Sequence, residues 1–235
     1  MFGSRLTIAW GLSALLLAGC QGASGDGDGD DGPASTDDGP VNLDCEGANS
    51  VLAGHAVIES EADLAALDGV RAIEGELQID KTSFTDLDAL GCIEEVGSHL
   101  TIFGNTALTD VSGLSSLQRV GGDFIFSDNT ALVDFDGAPA LTEVGNSLII
   151  HDDDAMTGIS GLGSLATIGA AINIRSNDAL LHIDGLRGLR SVGGQLAITQ
   201  NPNLCISSVN QVGAGITDPA TIPDNWSTRS NDDDC

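Results

Sequence analysis

Apolar side chains recur along this chain at a fixed interval. Between Gly75 and Gly194 the phrase Gly, one residue, Leu, one residue, Ile returns six times in close variants, its first apolar position falling at Leu77, Leu100, Phe124, Leu148, Ile172 and Leu196. The steps are 23, 24, 24, 24 and 24 residues. A second apolar column follows two residues later, at Ile79, Ile102, Phe126, Ile150, Ile174 and Ile198. A spacing of two places both side chains on one side of a strand, and that side must face a core. A period of this length means stacked units, none of which can bury its apolar set alone.

The remainder of each unit keeps the same register. A polar column, Asn105, Asn129, Asp153, Asn177 and Asn201, precedes Leu108, Leu132, Met156, Leu180 and Leu204 by three residues. Val111, Phe135, Ile159 and Ile183 come next, then Gly113, Gly137, Gly161 and Gly185, then Leu117, Leu141, Leu165 and Leu189, and finally Val120, Val144, Ile168 and Val192. Each unit therefore reads as three short strands separated by turns, with glycine and asparagine where the backbone bends or bonds locally. Coils stacked at roughly 4.8 Å let every strand pair with its successor. The expected fold is all-β: a right-handed β-solenoid of about six 24-residue coils, with an N-terminal helical cap and a disulfide-closed C-terminal cap.

The ends depart from the period. His55 to Glu59 reads as a strand, and Ser60 with Asp63 resembles the start of a short helix carrying Leu64 and Leu67. A helix there would cover the open end of the core. At the other end Ile206 to Ile216 loses the repeat, and Asp218 to Cys235 is polar, with Pro219, Pro223 and Trp226. The domain layout that follows is 1–19, a signal peptide; 20–45, an acidic Gly/Asp-rich tether; 46–215, the repeats with their N-terminal cap; and 216–235, a C-terminal cap tail.

Cysteines fit this layout. With Cys20 set aside, Cys45, Cys92, Cys205 and Cys235 remain, an even number that allows three connectivities. Cys92 in the first coil and Cys205 in the sixth would stand about 20 Å apart at the strand spacing, far beyond bridging range. Cys45 with Cys92 and Cys205 with Cys235 are the natural pairs, each stapling a cap to its end. No CxxC occurs, and the spacing disfavours metal.

At this point the residues carry a resemblance. "GNTALTDVSGL" from Gly104, "LSSLQRVGGDFI" from Leu114 and "QNPNLCISSVN" from Gln200 look like the receptor L domain, the leucine-rich-repeat-like β-helix of insulin and epidermal growth factor receptors, and are closer still to its bacterial relatives in secreted lipoproteins. The resemblance spans about residues 55 to 212. It implies a ligand-binding module, although no receptor ligand contact carries over to a position of this chain.

The first residues agree with such a setting. Met1 to Arg5 is a short basic region, Leu6 to Leu17 is apolar, and Leu17, Ala18, Gly19, Cys20 has small residues before a cysteine. That is a secretory signal, and the apolar run is too short to span a bilayer as a helix. The motif resembles the bacterial lipobox, which implies lipidation of Cys20 after cleavage; Gln21 rather than Asp implies the outer membrane, with the periplasmic or exposed side left open. Residues 21 to 44 hold Gly, Asp, Ser and Pro and too little apolar surface to fold. The run from Asp26 to Asp31 invites a calcium reading, but Asp31 stands where an EF-hand loop needs Gly and Asp37 where it needs Glu. A solvated tether is the better reading.

Charge narrows the partners. There are 35 acidic and 8 basic residues, for a formal net charge of −27, and Arg5 would leave with the signal. This balance argues against nucleic acid and against adhesion to anionic surfaces; the partners expected from the resemblances are a membrane, reached through the lipid anchor, and a protein or glycan ligand.

Candidate chemistry lies on the outward residues of the repeated strand. The middle outward column is Gln78, Thr101, Ile125, Ile149, Asn173 and Ala197; the last is Asp80, Phe103, Ser127, His151, Arg175 and Thr199. Phe103, Ile125 and Ile149, bordered by His151, Asn173 and Arg175, are expected to form an exposed apolar cluster with a polar rim, the candidate binding face. Ser127 beside His151 superficially suggests nucleophilic catalysis, but strand alternation sends Asp152 to the opposite side, and no nucleophile elbow is present. His55, His99 and His182 are scattered in register. No catalytic residue, metal site or cofactor is expected, and the chain reads as a non-enzymatic, lipid-anchored envelope protein that presents a binding module. The alternative is a passive envelope spacer without a specific ligand.

Overall fold

The structure is a computed structural model that describes residues 45, 50–218, 226–233 and 235. Cys20, the signal segment and the tether up to residue 44 lie outside the described residues. The chain divides after Gly39, and everything below belongs to the unit Pro40–Cys235.

Among the described residues the strands are parallel and collect into two seven-stranded sheets and one two-stranded sheet. The wide sheet takes one strand from each repeat: Ala56–Ile58, Leu77–Asp80, Leu100–Phe103, Phe124–Ser127, Leu148–His151, Ile172–Arg175 and Leu196–Thr199. Pairing runs strictly between successive repeats, with Leu148 opposite Phe124 on one side and Ile172 on the other. The narrow sheet is built the same way from shorter pieces such as Arg119–Val120, Glu143–Val144 and Thr167–Ile168. Both predicted apolar columns lie inside, from Leu77 and Ile79 to Leu196 and Ile198. Phe135 meets Phe124 and Phe126 edge-on at ring centroids 5.8 and 5.1 Å, so three aromatics meet in the middle of a mainly aliphatic core, with Phe84 a fourth elsewhere in it.

Among the described residues the third strand expected in every repeat forms only at Asp134–Phe135 and Gly158–Ile159, with a single further bridge from Gly158 to His182. Elsewhere that side turns through 3₁₀ segments, Asp88–Leu90, Ser112–Leu114 and Asp184–Gly188. Between the second apolar pair and the glycine column the chain must reverse within a few residues, and i→i+3 bonds such as Leu114 N to Val111 O, 3.0 Å, do this more tightly than an extended ladder.

The N-terminal cap is α1, Glu61–Ala65, whose N-cap Ser60 accepts a bond from the Asp63 backbone. Ser60 donates in turn to the Asp63 carboxylate at 2.7 Å, which holds that carboxyl below its ordinary range. Leu64 and Leu67 turn inward. At the far end, where the repeat fades, a ten-residue helix forms: α2, Ile206–Gly215, burying Val209 and Val212. The tail does more than cover this end. Ser227 bridges Ala197 and Asp232 bridges Cys205 in parallel, continuing the pairing by one further layer. Both disulfides join the expected partners, Cys45 to Cys92 and Cys205 to Cys235, with Cα atoms 5.5 and 5.8 Å apart. Among the described residues no helix is long and apolar enough to cross a membrane.

Candidate functional site

The outward columns of the wide sheet are set by register. Thr101, Ile125, Ile149 and Asn173 follow one another across adjacent strands, and so do Phe103, Ser127, His151 and Arg175. Strand alternation alone places them, since the residues between them point into the core. Ile125 and Ile149 are thus direct neighbours flanked by Asn173, and His151 lies between Ser127 and Arg175. Phe103 stands one strand and one column away, opposite Ser127.

Exposure differs from the sequence expectation. Phe103, Ile125, Ile149, His151, Asn173 and Arg175 are all half-buried rather than open, because side chains on neighbouring strands shield each other at this spacing. Lys81 also sits over the Phe103 ring, 4.9 Å from its centroid. Ser127, small and wedged between Phe103 and His151, is buried. The large apolar side chains most open to solvent are elsewhere: Val57 on the first strand of this sheet, Val51, and Val133 with Leu181 on another side of the repeats.

A second correction concerns Asp152. It does not point away from His151: its carboxylate Oδ2 lies 2.7 Å from His151 Nδ1. Alternation fails because Asp152 is no longer in the strand. Its φ of +59° is left-handed, and that turn swings the side chain back beside its predecessor. The same conformation recurs at Lys81, Gly104, Asp128, Ser176 and Gln200, the position just before the polar column in every repeat. Asp128 consequently stacks beside Asp152, and its carboxylate, the His151 ring and the Asp152 carboxylate offer polar atoms within 4.8 Å of one another. All three are half open to solvent, and one imidazole nitrogen is already committed to Asp152, so we read a solvated acid–base cluster and assign no metal to it. No hydrogen bond joins Ser127 to His151 among the described residues, and the buried hydroxyl is shielded from a substrate.

The opposite, narrow sheet carries paired charges instead. Arg71 bonds Glu94 at 2.7 Å, and Arg119 bonds Glu95 at 2.8 Å while its Nε approaches Glu143 at 3.5 Å. Glu95 and then Glu143 hold the Arg119 guanidinium more firmly charged. These pairs satisfy one another across the repeats, which leaves little unpaired charge for a ligand. Arg175 on the wide sheet, by contrast, makes no ion pair among the described residues.

What sequence reading missed was the interior. The polar column does stand at turns, where each carbonyl accepts the amide three residues on, as Asn105 does from Leu108 at 3.0 Å, but its side chains work chiefly between repeats. Its members are fully buried and bond from repeat to repeat, and the ladder starts at Thr82 and ends at Asn231, thirty residues beyond Asn201. The strict 24-residue spacing of five polar residues amid apolar columns was a signal for it.

No curated protein and no solved structure matches the chain. Residues 69–137 match the family model described as Receptor L domain, a shorter stretch than the sequence resemblance spans. The match takes in the wide-sheet strands that hold Phe103 and Ile125, while Ile149, His151, Asn173 and Arg175 lie in repeats beyond it. That family is a non-enzymatic ligand-binding domain, and this stretch of the chain is receptor L domain-like.

Proposed function

We propose that the chain is a lipid-anchored protein of the bacterial outer membrane whose repeats form a right-handed β-solenoid, and that this acts as a non-catalytic binding module for a protein or glycan. The observation that carries the reading is the receptor L domain match over residues 69–137. Ile125 and Ile149, with His151, Asn173 and the unpaired Arg175 beside them, supply the ligand face: a small apolar centre with a polar border, held on a sheet that leaves its backbone no freedom to rearrange. Anchoring rests on the Leu17 to Cys20 motif, and acyl chains contribute about 0.8 kcal/mol per buried CH₂.

The experiment compares three versions of the chain in the native host: the parent, Cys20→Ala, and Ile125→Asp with Ile149→Asp. Radiolabelled fatty acid should be incorporated into the parent and not into Cys20→Ala. Protease added to intact cells then reports which side of the membrane the module occupies. The double aspartate variant should keep its circular dichroism spectrum and lose at least tenfold in binding to a glycan array or to crosslinked surface proteins. Unchanged binding by that variant removes the face from consideration, and absence of any ligand leaves the spacer role as the better account.

A further inference from the structure

The buried polar ladder contains one rung of different chemistry. Each side-chain oxygen accepts the backbone N–H of the residue one repeat earlier: Asn129 from Asn105 at 3.1 Å, Asp153 from Asn129 at 2.8 Å, Asn177 from Asp153 at 3.1 Å and Asn201 from Asn177 at 3.1 Å. Each side-chain nitrogen in turn donates to a strand carbonyl. Asn105 reaches Ile79, Asn129 reaches Ile102, Asn177 reaches Ile150, Asn201 reaches Ile174 and Asn231 reaches Ile198, at 3.1, 3.0, 3.4, 3.1 and 2.7 Å. Three of these donors sit 27 residues after their acceptors. By the same offset Asp153 falls to the carbonyl of Phe126, yet a carboxylate has no hydrogen to give. Its Oδ2 is shielded from water and has no hydrogen-bond partner among the described residues.

A buried polar atom without a partner is expensive, and a buried charge more so. Both costs vanish if the oxygen carries a proton. We propose that Asp153 is a proton-dependent rung: as a neutral carboxylic acid it donates to the Phe126 carbonyl and completes the ladder, and as a carboxylate it breaks the ladder between the strands Phe124–Ser127 and Leu148–His151.

The surroundings agree. Burial is the main cause pushing the Asp153 carboxyl from 3.8 up to about 7, the Asn129 hydrogen bonds pull it down, and the Asp128 and Asp152 charges push it up again. The titratable and charged groups of the neighbouring elements are Asp128 after the preceding strand, His151 at the end of its own strand, Asp152 and Asp154 on either side, and Arg175 on the following strand. His151 is bonded to Asp152, and Arg175 pairs with none of them, so no cation in this set neutralises an ionised Asp153.

Linkage fixes the sign. A carboxyl whose folded-state value lies above its unfolded value contributes stability that is fully present below about pH 4 and is lost as pH rises through about 7. The two strands it joins carry Ile125, Ile149 and His151, so under the binding reading above, proton loss also loosens the ligand face. The test needs no ligand, so its outcome is independent of that reading.

Thermal unfolding of the purified full-length chain and of Asp153→Asn, from pH 4.5 to 8.5, decides the matter. The amide supplies the missing donor permanently. The two melting temperatures should lie closest at pH 4.5, separate progressively up to about pH 7, and differ by several degrees in favour of Asn at pH 8.5. Isotope-edited infrared spectra at pH 6 should show a protonated carboxyl band in the parent that the Asn variant lacks. Parallel melting curves across the range, an Asn variant less stable at pH 8.5, or absence of that band would each overturn the proposal.

Discussion

Asn129 uses every polar atom of its side chain on other repeats: Oδ1 accepts from the Asn105 backbone and side chain at 3.1 and 3.2 Å, and Nδ2 donates to the Ile102 carbonyl at 3.0 Å. Truncation to Ala would strand a buried N–H and remove a bond from a buried carbonyl. At roughly 1–3 kcal/mol for each buried group left unpaired, Asn129→Ala should destabilise by about 3 kcal/mol, read as a lower denaturant midpoint with unchanged slope. Asn129→Asp should instead introduce a second pH-sensitive rung. At this scale the sequence was half legible. The columns announced a polar residue every 24 positions, but the left-handed φ of the residue before each one was hidden, because among Lys81, Asp128, Asp152, Ser176 and Gln200 only the aspartates belong to a type prone to it. That hidden turn is why alternation misplaced Asp152 relative to His151.

Elements here are short, and close stacking rather than propensity forms them. Glu143–Val144 has two residues yet pairs on both sides, with Arg119–Val120 and Thr167–Ile168. At the corner that follows, Gly145 lies against the Gly121 carbonyl so tightly that a Cβ would overlap it. Gly145→Ala therefore has to push adjacent repeats apart, and about 1–3 kcal/mol is the expected loss for overpacking of this kind. A fall in melting temperature of several degrees would bear this out, whereas a neutral or stabilising result would mean the corner has slack. The strands were legible because buried residues repeat at a period of two. Helix α2 was not, since Ile206, Val209, Val212 and two glycines are poor helix formers. It exists because Val209 and Val212 cover the last layer of the core, and Trp226 packs there beside Gly213, a tertiary reason that no local pattern displays.

For the stack of repeats between Pro40 and Cys235, stability is a matter of its ends. Each inner repeat is paired on two sides, and an end repeat only on one, so fraying starts where the pairing stops. The two disulfides stand at those places. Cys205–Cys235 closes a 30-residue separation and holds Ser227, Asn231 and Asp232 against the last full repeat. Their placement was legible because the period fixed how far apart the cysteines must stand, whereas the extra layer contributed by the tail was not, because Asn231 follows Asn201 by 30 residues and breaks the count. On the chain-entropy model a loop of this size is worth roughly 3–4 kcal/mol. Cys205→Ser should lower global stability by that order, and its effect should be uneven. Amide hydrogen exchange should accelerate first at Ile198 and Asn201, which bond to the tail, while Ile102 and Phe126 in the middle of the wide sheet keep their protection until global unfolding. If protection fell equally in all four, the bridge would be acting on the unfolded chain alone and the tail would be held by its ladder bonds without it.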